Sequence, residues 1–207
     1  MPRRRRLGVR TLVAFAVAAG AMLVGPAGAG PTVGAAGPVK ILPLGNSLTE
    51  GYEVDGGPVP FSQRAGYRER LEDRFQDVGF DFDFVGTKTS GSARLDDTDH
   101  EGVSGDRIDA IRNRMNGLPV GLDPDVVLLI AGTNDLTDDT ATFPLPANSD
   151  AAEAAMADLL DDLTSKWPDA KVVVSTLIQF RENPAGQRTT LIRDYNAALP
   201  GIVAAAG

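Results

Sequence analysis

Val39-Lys40-Ile41-Leu42-Pro43-Leu44-Gly45-Asn46-Ser47-Leu48-Thr49-Glu50-Gly51 reads as a buried strand that runs straight into a small polar turn. Val39, Ile41, Leu42 and Leu44 form an apolar run that stops at Gly45, the pattern of a strand covered on both faces in a parallel sheet. Ser47 then falls just past the strand's carboxyl end, where open α/β sheets hold their ligands. A serine there also serves as a plain helix cap, so the stretch alone leaves both readings open.

The chain beyond it alternates helices with strands. Tyr67, Leu71, Phe75 and Val78 recur at helical spacing and Gly79 ends them. Phe80, Phe82 and Phe84 alternate with Asp81 and Asp83 as a second strand closing at Val85-Gly86. Thr87 to His100 reads as a polar loop and Arg107 to Met115 as a short helix. Asp125 to Ala131 carries Val126-Val127-Leu128-Leu129-Ile130, an apolar run fit for a central strand, and ends in Gly132-Thr133-Asn134-Asp135. After a loop over Leu136 to Asn148, Asp150 and Glu153 are spaced as a capping box for a helix striped by Met156, Leu159, Leu160, Leu163 and Trp167. Lys171 to Leu177 is a fourth strand, and Leu191, Tyr195, Leu199 and Ile202 make a last helix, interrupted at Pro200. This alternation predicts an α/β fold with a parallel, doubly wound sheet.

Residues 1–29 have the form of a signal peptide. Five arginines open the segment, Leu12 to Val24 is an uncharged run of 13 residues, and Ala27-Gly28-Ala29 is a small-residue cleavage site. The run is shorter than the ~20 residues a spanning helix needs. Export is the expectation, with an uncleaved anchor as its alternative; the paired arginines also admit a twin-arginine route. Residues 30–38 are a Gly/Ala/Pro linker, read as disordered. The whole chain of 207 residues carries a net charge of −8, and losing residues 1–29 would leave 15 basic against 28 acidic residues, a net −13. Such a protein repels phosphate backbones, which argues against nucleic-acid binding. With no cysteine in the sequence, disulfides, thiolate catalysis and cysteine-based zinc sites are excluded.

Three glycine-containing polar turns remain: Gly45-Asn46-Ser47-Leu48-Thr49, Gly102-Val103-Ser104-Gly105 and Gly132-Thr133-Asn134-Asp135. Ester hydrolysis needs a nucleophile and donors aimed at the developing oxyanion. Ser47 offers a hydroxyl, Gly105 an unobstructed N–H and Asn134 a side-chain amide. In a parallel sheet all three turns converge on one edge.

In these residues, over Val39 to Gly207, the chain resembles the GDSL esterases, or SGNH hydrolases. The first three sequence blocks of that superfamily carry the Ser, Gly and Asn matched in order by Ser47, Gly105 and Asn134. The resemblance implies a flavodoxin-like three-layer α/β/α sandwich with strand order 2-1-3-4-5. It also implies catalytic roles: Ser47 as nucleophile and oxyanion N–H, Gly105 as a second N–H, and Asn134 as a third donor. The wording Ile41-Leu42-Pro43-Leu44-Gly45 and Asp99-His100-Glu101-Gly102-Val103-Ser104-Gly105 is similar to the carbohydrate-esterase branch that deacetylates xylan. The expectation is a secreted serine esterase removing O-acetyl groups from an extracellular carbohydrate. A lipase or lysophospholipase of the same fold is one alternative, and a non-catalytic glycan-binding relic is another. The expected partner is a small-molecule or polysaccharide ester, with no stable membrane insertion once the leader is gone.

Two departures accompany the resemblance. Asn46 stands where the family has Asp, so the turn loses a charge. The family's Asp-x-x-His pair, after a fifth strand, has no counterpart here, because no histidine follows His100. The domain 39–207 is therefore read as incomplete at its carboxyl end, with its fourth strand left as an edge that invites aggregation. His100, the sole histidine, is the alternative base. The family carries a non-catalytic histidine at that place, so a structural loop histidine is the preferred reading. Asp96, Asp97, Asp99 and Glu101 have the chemistry of calcium ligands but not EF-hand spacing, and read as a solvated acidic loop. Neither metal nor cofactor is expected. The α/β-hydrolase elbow Gly-x-Ser-x-Gly is not met, since Thr49 takes the place of its second glycine.

Overall fold

The computed structural model describes residues 13–15, 37–52, 59–137, 145–178 and 186–206. The expected leader and linker lie outside these residues, save 13–15 and 37–38, as does part of the loop expected over residues 136–148. Seven strands are described: β1 (Val13–Phe15), β2 (Val39–Gly45), β3 (Phe82–Phe84), β4 (Lys88–Thr89), β5 (Asp99–Gly102), β6 (Val126–Ile130) and β7 (Lys171–Ser175). The helices are α1 (Ser47–Glu50), α2 (Tyr67–Asp77), α3 (Ile108–Asn116), α4 (Asp150–Lys166) and α5 (Gln187–Ala206).

The stretch that opens the sequence argument is the middle of the sheet. β2 pairs in parallel with β6, from Ile41 opposite Val126 to Gly45 opposite Ile130. β6 pairs in parallel with β7. The far edge of β2 is shared, with β3 beside its start and β5 beside its end, both parallel. β4 closes antiparallel onto β5. The order β3-β2-β6-β7 is the expected doubly wound 2-1-3-4, and the molecule is a mixed α/β fold on a mostly parallel sheet. Leu42 and Leu44, Val127 and Leu129, and Val172 and Val174 sit two apart on their strands and enter one core with residues of α3, α4 and α5.

In this chain Val13–Phe15 lie parallel to Val173, Val174 and Ser175, so β7 has a neighbour there; these three residues fall within the expected leader, and the expectation of an open edge concerns the chain without it. Several expectations are corrected. The loop expected over Thr87 to His100 contains β4 and runs into β5, whose polar side chains gave no apolar alternation to read. β6 is fully covered on one face only. Val127 and Leu129 are buried, whereas Val126, Leu128 and Ile130 are half-buried. Helix α4 starts at Asp150, with Ser149 as its N-cap residue making no side-chain bond to the helix backbone; Ser149 Oγ donates instead to Glu153 Oε1 at 2.6 Å, so Asp150 is the first helical residue and not the head of the expected Asp150–Glu153 box. Helix α5 runs through Pro200 unbroken. Leu199 and Val203 are buried on either side, and their packing outweighs the one backbone bond that proline removes. On α2 the expected stripe rotates: Val78 is exposed, and the buried positions are Arg68 and Glu72.

Candidate active site

Register brings the three turns together. Gly45 lies opposite Gly102 on one side and Ile130 on the other, so β2, β5 and β6 end side by side. Ser47, Gly105 and Asn134 therefore leave the same edge of the sheet. Gly45 must be glycine, because a Cβ there would run into Ile130 O and Thr49 Oγ1.

Asn46 caps α1. Its Oδ1 accepts the Leu48 N–H at 3.1 Å, while its Nδ2, fully buried, has no partner among the described residues. Ser47 follows as the first residue of α1, half-buried, its carbonyl accepting from Gly51 and Tyr52 at 2.9 and 3.0 Å. Its hydroxyl and its N–H make no hydrogen bond among the described residues, and neither does the Gly105 N–H. Gly105 is exposed and sits at φ +87°, left-handed backbone that a side chain would strain.

The turns are tied to one another. Asn134 Nδ2 donates to Asp106 O at 2.8 Å, leaving its second N–H for another acceptor. The Asp135 carboxylate accepts the Ile108 N–H at 3.2 and 3.3 Å, capping α3; burial raises its pKa above the usual carboxylate range. Glu50, one helical turn after Ser47, accepts Ser104 N–H at 2.6 Å and Ser104 Oγ–H at 2.5 Å, and pairs with Arg64. Burial works to raise the Glu50 pKa, but the Ser104 bonds and the Arg64 guanidinium outweigh it and hold the carboxyl below its ordinary value.

Beneath these turns lies a buried charged layer. Arg68 is fully buried and donates to Thr49 O, Thr98 O, Arg64 O and Ser90 Oγ at 2.7 to 3.1 Å. Burial pulls its pKa down, and the Asp97, Glu72 and Glu50 carboxylates act against that. His100 accepts the Gly102 N–H on Nδ1 at 2.9 Å, which leaves the proton on Nε2 to donate to Ser90 Oγ at 2.9 Å. Burial first, then the Arg68 cation, push the imidazole down to about 3, so it is neutral with both nitrogens engaged.

The acidic loop is not the solvated run expected. Glu101 is fully buried and accepts Thr87 N–H and Oγ–H at 2.9 and 2.8 Å. Asp97 accepts the Phe84 and Asp99 N–H groups at 2.6 and 3.2 Å. No cluster of three or more metal-ligating side chains occurs among the described residues. Sequence reasoning missed Glu50, Arg64, Arg68 and Arg114 altogether. Their one signal was charge on segments that also carry apolar residues, which most surface helices share.

Fold and turns together define an α/β protein presenting a serine and unengaged N–H donors at the carboxyl edge of a parallel sheet. Residues 44–207 match the GDSL-like lipase/acylhydrolase family, and the chain belongs to that family. It is 30% identical over 166 residues to a multidomain esterase of Ruminococcus flavefaciens; the match takes in 69% of this chain and 19% of that protein, so the chain spans about a fifth of its curated relative. Among solved structures it is similar to a Clostridium thermocellum family 3 carbohydrate esterase, with 32% identity and a TM-score of 0.62 over 81% of this chain and 72% of that one. An acetylxylan esterase from Geobacillus stearothermophilus shares the fold, with a TM-score of 0.59 at 16% identity over 82% of this chain and 74% of that one.

Proposed function

We propose that the chain carries the nucleophile and oxyanion hole of a secreted serine esterase that removes O-acetyl groups from an extracellular carbohydrate. The observation that carries this reading is the edge itself. An unengaged hydroxyl and two unengaged N–H groups stand on turns bonded to each other, beside an amide with a donor to spare. Ser47 Oγ attacks the ester carbonyl carbon. The oxyanion takes hydrogen bonds from the N–H groups of Ser47 and Gly105 and from Asn134 Nδ2. Collapse expels the sugar oxygen, which takes a proton, and water then releases acetate from acetyl-Ser47. The proton acceptor in this reading is an Asp-oriented histidine that these 207 residues do not contain. Likeness to a family 3 carbohydrate esterase supports the sugar-ester substrate, and likeness to a multidomain esterase supports ester hydrolysis.

The test compares the chain with Ser47→Ala, each with imidazole supplied as soluble base, on acetylated xylooligosaccharides and on longer-chain esters. Acetate release that vanishes in Ser47→Ala and favours the sugar acetates supports the proposal. Equal release by the variant removes Ser47 from the chemistry, and preference for long acyl chains points to a lipase.

The engagement of His100 favours a second reading, a scaffold that binds a glycan without turning it over. Saturable binding of acetylated oligosaccharide with no acetate release, even when a histidine base is supplied, would establish it. Export with cleavage near Ala29 belongs to the proposal and rests on the basic start, the short apolar run and the small-residue site. A secreted product whose intact mass begins at Met1 would refute it.

A further inference from the structure

Arg114 lies on α3, outside the three turns, yet its guanidinium touches the Gly45 turn and both flanks of the Gly102–Gly105 turn. Nη2 donates to Gly45 O at 3.1 Å, the last carbonyl of β2 before Asn46 and Ser47. The same fork grips Asp106 Oδ2, at 2.8 Å from Nη2 and 3.2 Å from Nε. Nη1 donates to Glu101 O at 2.9 Å and to Glu101 Oε1 at 3.2 Å. Asp106 follows Gly105 in sequence, and its carbonyl is the acceptor that orients the Asn134 amide. The side chain is only 17% exposed, so water offers little competition for these acceptors.

We propose that Arg114 is the positioning residue of the oxyanion hole, a single planar cation that sets the nucleophile's turn against the Gly105 turn and, through Asp106, aims Asn134. The proposal rests on the esterase reading. An ordinary ion pair would need Asp106 or Glu101 alone; holding a main-chain carbonyl of β2 in the same plane needs the guanidinium fork. Lysine keeps the charge but, as a point donor, cannot span Gly45 O, Glu101 O and Asp106 Oδ2 together. Displacements of about 1 Å are enough to cost ~10²-fold in rate.

The experiment follows hydrolysis of an aryl acetate by the chain with imidazole as soluble base, subtracting the rate of Ser47→Ala to leave the Ser47-dependent part. Arg114→Lys is expected to lower the Ser47-dependent kcat by about 10- to 100-fold. Its KM should stay within about threefold and its melting temperature close to that of the parent. Asp106→Asn, which keeps the carbonyl acceptor for Asn134, should show a smaller loss of the same kind and serves where the arginine variant folds poorly. Unchanged kcat in both variants, or a loss lying wholly in KM, overturns the positioning role while leaving the esterase reading intact. A parent rate no higher than that of Ser47→Ala overturns the esterase reading, and this inference with it.

Discussion

Replacing Glu50 by Gln tests how much the buried carboxylate between the nucleophile's helix and Ser104 contributes to stability. The Glu50 and Arg64 side chains are 8% and 11% exposed, so their pairing is poorly screened by solvent. Glutamine keeps one oxygen for Ser104 but presents an NH₂ where Arg64 also presents a donor. Breaking a buried pair by removing one charge costs about 3–5 kcal/mol. Arg64 retains part of its stabilisation, because Nε donates to Val59 O at 3.0 Å and the cation lies over the Phe61 and Tyr52 rings at 4.0 and 4.9 Å. The expected loss is therefore toward the lower end, about 3 kcal/mol, or about 6–12 °C in melting temperature for a domain of this size.

The pH dependence separates this carboxylate from its neighbours. The folded-state pKa of Glu50 lies below its ordinary value of 4.5, so its contribution to stability is complete above about 4.5 and is lost as pH falls through the folded value. Glutamine has no such dependence. Thermal melts of the two proteins should stand apart at pH 7 and converge as pH drops below about 4.5. Asp97, Asp99 and Asp135 have raised values with the opposite sign, and they are common to both proteins and cancel in the difference. No gap at pH 7, or a gap constant from pH 7 to about 3, would refute the reasoning.

Asn134→Ala should lower the Ser47-dependent kcat by ~10²–10³ with KM far less affected; a defect confined to KM would remove Asn134 from the oxyanion hole. His100 should remain neutral down to about pH 4, since its value lies at about 3; its neutral-state contribution to stability fades as pH falls below the ordinary 6.5. Ring-carbon NMR shifts that titrate near 6.5 would contradict this. Joining to this chain a strand and a loop bearing Asp-x-x-His should raise aryl acetate hydrolysis far above that of the 207 residues alone, because an unassisted serine hydroxyl is a poor nucleophile near neutral pH. Equal rates for the two would remove the Asp-x-x-His pair from the chemistry.

How far the sequence could be read depended on what each element buries. β2 and β6 were legible because both are apolar runs stopped by glycine, and their register then carries Ser47 and Asn134 to one edge without further information. β5 was not legible. Asp99-His100-Glu101-Gly102 offers no apolar residue to alternate, and what keeps it as a strand is the engagement of His100 and Glu101 by Ser90, Gly102, Thr87 and Arg114. The stripe on α2 went astray for the same reason. Apolar spacing assigns the inner face to Leu71, Phe75 and Val78, but the most buried side chains are Arg68 and Glu72, one position round the helix. Periodicity finds a buried face only where burial is driven by apolar area. A polar group can go equally deep when every donor and acceptor is met, and whether they are met is decided by residues far away in sequence.

That difference bears on how the candidate site is held. Hydrophobic packing tolerates sliding, since a neighbouring methyl serves almost as well as the one replaced. A buried guanidinium does not, because each acceptor it loses leaves a donor unpaired in surroundings of low dielectric. Arg68 reaches the end of α1 through Thr49 O and the loop before β5 through Thr98 O. Glu50 reaches Ser104, and Arg114 reaches both Gly45 and Asp106. Each tie joins the turn that carries Ser47 to the chain around Gly105 or to the support beneath it, and none depends on an apolar contact. A substitution in this layer should therefore disturb the relative placement of hydroxyl and N–H donors sooner than it disturbs the core under α3, α4 and α5, which makes loss of rate with retained folding the signature to look for.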